Sequence, residues 1–220
     1  SNDSIVANSG WLVSSLARLL EAGAKSDDHA FNSNYHGEVE SLIAAILTNK
    51  AGEEFTETTD AVSLAINSPR GQCLEALINL TLRCCRLEDK LKGQHSETWR
   101  HFEPYFEFEF SRAKQGEYEF ATLVTNYLPN FLYMSGDWII QNLPQIFDRT
   151  DYQKWLCAMQ GYSYVGKVYD DIYQYLKSTG DYLAGLDDKN LIERVDDRFI
   201  QHIFVAYLND FECLDEEAGL

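Results

Sequence analysis

A chain of 220 residues carries 18 Lys and Arg against 35 Asp and Glu, a formal net charge of −17, with 45% hydrophobic and 13% aromatic residues. A chain of that length buries enough surface to fold as one domain without metals or disulfides, and its apolar content excludes disorder. The negative field disfavours nonspecific binding to nucleic-acid phosphates and to anionic membrane surfaces, and only 13 Gly and 4 Pro leave few turn-formers for an all-β fold.

Ser1-Asn2 reads as the remnant of a cleaved tag, so 3–220 is expected to be one α-helical domain cut from a larger multidomain protein. No run approaches the ~20 apolar residues of a membrane span, and no basic-then-apolar leader is visible. Leu12, Leu16, Leu19 and Leu20 then mark a first helix. Val39, Leu42, Ile43, Ile46 and Leu47 mark a second, at the i, i+3, i+4, i+7, i+8 spacing of a helix with one buried face. The stretches 25–35 and 50–57 are polar and lack periodicity, as loops within a domain do.

Ser68-Pro69 places a capping hydroxyl before a proline at the first helical position, so a helix starts there and abuts one ending near Ile66. Its apolar face is Leu74, Leu77, Ile78, Leu82 and Cys85. Phe106-Glu107-Phe108-Glu109-Phe110 alternates like a strand. Trp99, Phe102, Phe106 and Phe110 nevertheless lie three to four apart, which favours a helix with Pro104 in its first turns or kinking it. Phe120, Leu123, Val124, Tyr127 and Leu128 predict the next helix; Tyr152, Trp155, Leu156 and Met159 another; and Val165, Val168, Tyr169, Ile172, Tyr173 and Leu176 another. A last helix is expected over about 190–209. Ser96-Glu97, 148–151 and 187–190 supply further starts, with acids suited to the positive end of a helix dipole. Gly93, Gly116, Gly136 and Gly180 are expected at helix ends. The reading is an all-α fold of about eight to ten helices, arranged as an irregular multi-helix bundle or a short solenoid-like array.

Chemistry is sparse. Cys73, Cys84, Cys85, Cys157 and Cys213 form no C-x-x-C pair, and four of them fall in helical patterns, as reduced thiols packed as small hydrophobes do. Cys85 is expected in the core and Cys84 partly exposed. His101-Phe102-Glu103 has the H-x-E of zinc deaminases without the P-C-x-x-C that completes the site. No zinc-protease, nucleotide-binding or serine-hydrolase signature occurs. The doublets Asp170-Asp171, Asp187-Asp188 and Asp196-Asp197 each offer one ligand in a given direction, as solvated faces do.

Ser68-Pro69-Arg70-Gly71 is the most informative tetrad. An Arg in a first turn opposes the helix dipole and a Gly there costs up to ~1 kcal/mol relative to Ala, so the pair implies a tertiary demand. Either Arg70 pairs with a buried acid while Gly71 admits a neighbouring helix, or both contact a ligand or partner. Trp138, Trp155 and Gly161 allow the same two readings, aromatic core with a close helix crossing or a recognition groove.

Ala65-Ile66-Asn67-Ser68-Pro69-Arg70-Gly71 with Leu74-Glu75-Ala76-Leu77 resembles an INSPRG…EAL helix start. Gly136-Asp137-Trp138, Leu143-Pro144-Gln145-Ile146-Phe147 and Trp155-Leu156-Cys157-Ala158-Met159-Gln160-Gly161-Tyr162 are similar to a D-x-W…L-P-x-[LI]-F…W…x-x-G-[YF] pattern. Both resemble helical C-terminal regions of unassigned function in large bacterial antiphage-defence proteins of the sirtuin-like and STAND NTPase type, over about 58–183. The resemblance implies a noncatalytic sensor, scaffold or oligomerisation surface, with catalytic residues in another domain of the parent chain. Its partners would be host or phage proteins and the remaining domains; the thiols point to the cytoplasm, the charge and hydropathy disfavour nucleic acid and membrane, and no cofactor is expected. The alternatives are a carboxylate-dependent divalent-metal enzyme, such as a helical phosphohydrolase using Asp170, Asp171, Glu193 and Asp197, and a purely structural oligomerisation or spacer domain.

Overall fold

The computed structural model describes residues 2–56, 59–113, 116–191 and 193–213, with side chains described from 11 onward except at 193, 194 and 196. Among these residues the fold is all-α. Eleven α-helices follow in order: α1 (Asn2–Lys25), α2 (His36–Asn49), α3 (Ala61–Asn67), α4 (Pro69–Lys92), α5 (Ser96–Ala113), α6 (Glu119–Asn126), α7 (Leu128–Ile146), α8 (Tyr152–Tyr162), α9 (Asp170–Ser178), α10 (Asp181–Asp187) and α11 (Glu193–Leu208). No helix among the described residues is long and apolar enough to cross a membrane.

The core is built on helices that are buried all round. Every residue of α4 from Arg70 to Thr81 is buried, as are Glu119 to Thr125 of α6 and Lys154 to Tyr162 of α8. A helix without a polar face must be surrounded. Accordingly α4 touches α1, α2, α3, α5, α6 and α7, and α6 packs on α3, α4, α5, α7 and α8. Packing of one helix on six others is a bundle, not the neighbour-by-neighbour stacking of a solenoid. The C-terminal end is looser, with α9 on α7 and α10, and α11 on α10.

Local signals act where capping chemistry is strong. Asp60 caps α3 through the Val62 and Ser63 amides, Ser68 Oγ accepts from the Gly71 amide at 2.8 Å, and Asp151 Oδ1 accepts from the Lys154 amide at 3.1 Å. Gly93 closes α4 in the left-handed conformation at φ 72°. Gly116 and Gly180 also lie between helices with positive φ. Gly136 also falls at a helix end, directly after the break at Ser135 (φ −163°, ψ 95°) that divides α7 into two helical segments. Pro104 lies in the interior of α5 rather than in its first turns, where its missing N–H leaves the Arg100 carbonyl without its helical donor. The segment expected to be one helix through Leu128 divides at Tyr127 into α6 and α7. Val165 and Val168 are buried in the connection before α9 rather than in a helix, and α10 has no counterpart in the expected elements. The last helix starts at Glu193, later than the expected 190.

Candidate functional site: a buried charge cluster and an exposed apolar helix face

Arg70 resolves the sequence puzzle of its own first turn. Its side chain is 1% exposed and leaves α4 for the C-terminus of α2, where Nη1 donates to the Leu47 carbonyl at 2.6 Å and the Lys50 carbonyl at 3.3 Å. A guanidinium there satisfies orphan carbonyls and meets the negative end of the α2 dipole, which offsets its poor position in α4. The same group forms an ion pair with Glu109 of α5 and reaches Glu117 from Nε at 3.2 Å. Arg112 forks onto Glu117 through Nε at 2.5 Å and Nη2 at 2.6 Å, and Glu119 Oε1 accepts from the Glu53 amide at 2.8 Å.

Two arginines thus face three glutamates. Burial pushes Glu109 up to about 7, with the Arg70 charge pulling the other way. Burial also raises Glu119, whose Oε2 has no hydrogen-bond partner among the described residues. Burial opposes ionisation of Glu117 too, but the Arg112 hydrogen bonds and the Arg70 charge outweigh it and hold that carboxyl low. Two arginines balance two ionised glutamates, so the cluster is neutral with Glu117 ionised and a single proton left between Glu109 and Glu119. It ties α2, α4, α5 and the start of α6 at one interior point.

Gly71 and Gly161 are both sites of close backbone approach. A Cβ on Gly71 would overlap the Ala65 carbonyl oxygen at the end of α3, which lets α3 abut α4 across Ser68. A Cβ on Gly161 would overlap the Thr122 carbonyl oxygen and Thr125 Oγ1, where α8 crosses α6; Thr125 Oγ1 donates to the Ala158 carbonyl at 2.8 Å across that crossing. Trp138 sits among Trp99, Phe110 and Phe131, with ring centroids 5.2, 5.4 and 5.5 Å away, and its Nε1 donates to Glu107 at 2.6 Å. Trp155 donates from Nε1 to Asp181 at 2.8 Å. Arg70, Gly71, Trp138, Trp155 and Gly161 are all buried, so in this fold they hold helices together and present no surface to a partner. They do not converge: Arg70 and Trp138 both reach α5, whereas Trp155 and Gly161 belong to α8.

The other candidates are dispersed. Asp170, Asp171 and Asp197 are exposed, Asp170 accepting from Gln174 at 3.1 Å; the Glu193 and Asp196 side chains lie outside the described residues. Among the described residues no three His, Cys, Asp or Glu side chains converge as a metal-binding group. His101 is exposed and bonds Glu40 at 2.9 Å. Cys85 is buried and Cys84 half-buried, and burial pushes their thiols up to about 12 and about 11, so neither flanking arginine makes a thiolate.

The surface the sequence reading missed is on α11. Val195, Phe199, His202 and Ala206 face the core, while Ile200, Phe204, Tyr207 and Leu208 form a second stripe on the solvent side, 57, 60, 41 and 63% exposed. These four recur at i, i+4, i+7 and i+8, so they stand side by side on successive turns. The signal in the sequence is a helix apolar on two faces, where a surface helix needs one. At roughly 200 Å² per large side chain, the four expose on the order of 400 Å², the size of patch that on monomers is often functional. Exposed Asp197 lies in line with the stripe, one helical turn before Ile200, with exposed Arg198 on its flank. A second apolar surface, a groove of about 400 Å³ between α2 and α5, is lined by Ala44, Leu47, Thr48, Pro104, Tyr105 and Phe108, with Glu109 at its floor.

No protein-family model matches the chain, no curated protein matches it, and no solved structure matches its fold.

Proposed function

We propose that this chain is a noncatalytic protein-interaction domain of a larger bacterial antiphage-defence protein, acting in the cytoplasm as a sensor or scaffold for an effector elsewhere in the parent chain. The observation that carries the interaction reading is the exposed stripe Ile200, Phe204, Tyr207 and Leu208 on α11, which is unpartnered among the described residues. Burying such a face on a partner removes apolar surface from water, at roughly 25 cal/mol per Å² before the costs of association. The net charge of −17 steers partners with basic or mixed-charge rims towards it. A phage or host protein that binds one state of the parent chain better than another shifts its population and so controls the effector.

The test is affinity capture with wild-type protein and Phe204→Asp, from uninfected and phage-infected bacterial lysates. Phe204 is a surface position, so the variant should keep its circular dichroism and melt within about 0.5 kcal/mol of wild type. The expected result is a stoichiometric partner held by the wild type and lost by the variant. Equal recovery by both proteins, or no partner in either lysate, overturns the assignment.

A further inference from the structure

α7 is two helical segments joined across Ser135, whose φ of −163° and ψ of 95° lie outside the helical region. A break of this kind leaves the carbonyls of the preceding turn to find donors other than helical amides. The Tyr133 and Met134 carbonyls find one in His95, on the loop between α4 and α5, whose Nε2 lies 3.0 and 3.1 Å from them. The other ring nitrogen, Nδ1, lies 2.9 Å from both carboxylate oxygens of Asp89 on α4. Tyr133 hydroxyl donates to the same carboxylate, and its ring lies against the imidazole at 4.8 Å.

A carbonyl oxygen only accepts, so Nε2 must carry a hydrogen. Asp89 is held ionised, its carboxyl lowered by the Tyr133 hydroxyl and by His95 itself, so Nδ1 must carry one as well. Only the imidazolium satisfies both sides; either neutral tautomer turns a lone pair onto oxygen acceptors at about 3 Å. We propose that His95, bonded between Asp89 and the Tyr133 and Met134 carbonyls, is a pH-responsive clamp that holds the break in α7 when its ring is doubly protonated and loosens it when the ring is neutral.

Asp89 of α4 and Arg100 and Glu103 of α5 line one open hollow with His95 and Ser135, Tyr133 of α7 lies against the ring, and Glu88 and Arg86 of α4 act on Asp89 and Tyr133. Glu88 is engaged by the Thr98 amide at 2.9 Å and by Lys92 at 3.1 Å. Of these side-chain types only histidine ordinarily changes charge between pH 5 and 8. The consequence for the fold runs through Trp138, three residues past the break, whose ring fills the aromatic cluster against α5. Loosening the clamp frees the 133–138 turn and, with it, the seat of that ring.

The test is hydrogen exchange of the full chain at pH 5.5 and pH 8, corrected for intrinsic exchange chemistry, with nitrogen NMR of the His95 ring. Loss of a charged hydrogen bond predicts that protection of the 133–138 amides falls by about tenfold between the two pH values, in step with loss of the doubly protonated ring signal. His95→Gln should flatten that pH dependence. Asp89→Asn, which keeps the imidazole but removes the carboxylate that accepts from Nδ1, should lower protection of the 133–138 amides at pH 5.5 and serves where His95→Gln fails to fold. Equal protection at both pH values, a ring nitrogen without a proton at pH 5.5, or an unchanged profile in either folded variant overturns the proposal.

Discussion

Replacing Arg70 by alanine isolates the contribution of the buried charge cluster. The substitution removes the only described cation paired with Glu109, which is 2% exposed, and withdraws donors from the Leu47 and Lys50 carbonyls and from Glu117. Breaking a buried ion pair by deleting one partner costs about 3–5 kcal/mol, because the other charge is left desolvated. Against a total of roughly 5–15 kcal/mol, that is a large share of the stability of the fold.

The loss should also depend on pH, and the sign follows from Glu109. Its carboxyl rises from an ordinary 4.5 to about 7 on burial, so the folded state binds a proton more tightly than the unfolded chain. Wild-type stability from this group is therefore highest below pH 4.5 and declines as pH rises towards 7, by about 3 kcal/mol in all. Without Arg70 the carboxyl stays protonated to still higher pH, so the decline continues to pH 8 at about 1.4 kcal/mol per pH unit. Urea unfolding followed at 222 nm should give a loss of about 3–5 kcal/mol for Arg70→Ala at pH 8, smaller by about 1 kcal/mol at pH 5.5. A loss under about 1 kcal/mol at pH 8, or a loss that grows on acidification, would show that Arg70 does not neutralise a buried Glu109. Glu109→Gln should remove most of the Glu109-dependent slope between pH 5 and 7.

Two further outcomes follow from packing. Gly161→Ala drives a methyl into the Thr122 carbonyl and Thr125 Oγ1; overpacking of that kind typically costs about 1–3 kcal/mol, a melting temperature lower by about 2–12 °C, and an unchanged midpoint would show that α6 and α8 can part. A thiol reagent in excess at pH 8 should modify exposed Cys213 first and half-buried Cys84 slowly, while Cys73, Cys85 and Cys157 react only on unfolding. Rapid native labelling of more than two thiols would contradict the burial assigned to them.

What the sequence made legible is what short-range chemistry decides. Ser68-Pro69 started a helix because a hydroxyl cap and a proline at the first position act within one turn, and Gly71 announced a close approach because nothing local favours it there. The all-α class followed from repeated apolar spacing. Gly136 marked the break in α7 to within one residue, but the His95 bonds to the Tyr133 and Met134 carbonyls come from a loop some forty residues away and could not be read locally. Val165 and Val168 carried helical spacing but serve a buried loop, since apolar period alone does not distinguish a helix face from a connection pressed onto the core. The destination of Arg70 needed tertiary structure, because the α2 carbonyls and Glu109 come from distant parts of the chain. The α11 stripe was written in the sequence as surplus apolar residues, and only the position of the core showed which face was surplus.

A partner docked on the outer face of α11, as proposed, would shield it from solvent, and hydrogen exchange of the chain with and without the captured partner reads that shielding. Binding should add protection across 197–208, and no such protection should appear in the partner's mixture with Phe204→Asp. Protection confined to other helices, with α11 exchanging as it does in the free protein, would place the docking surface elsewhere.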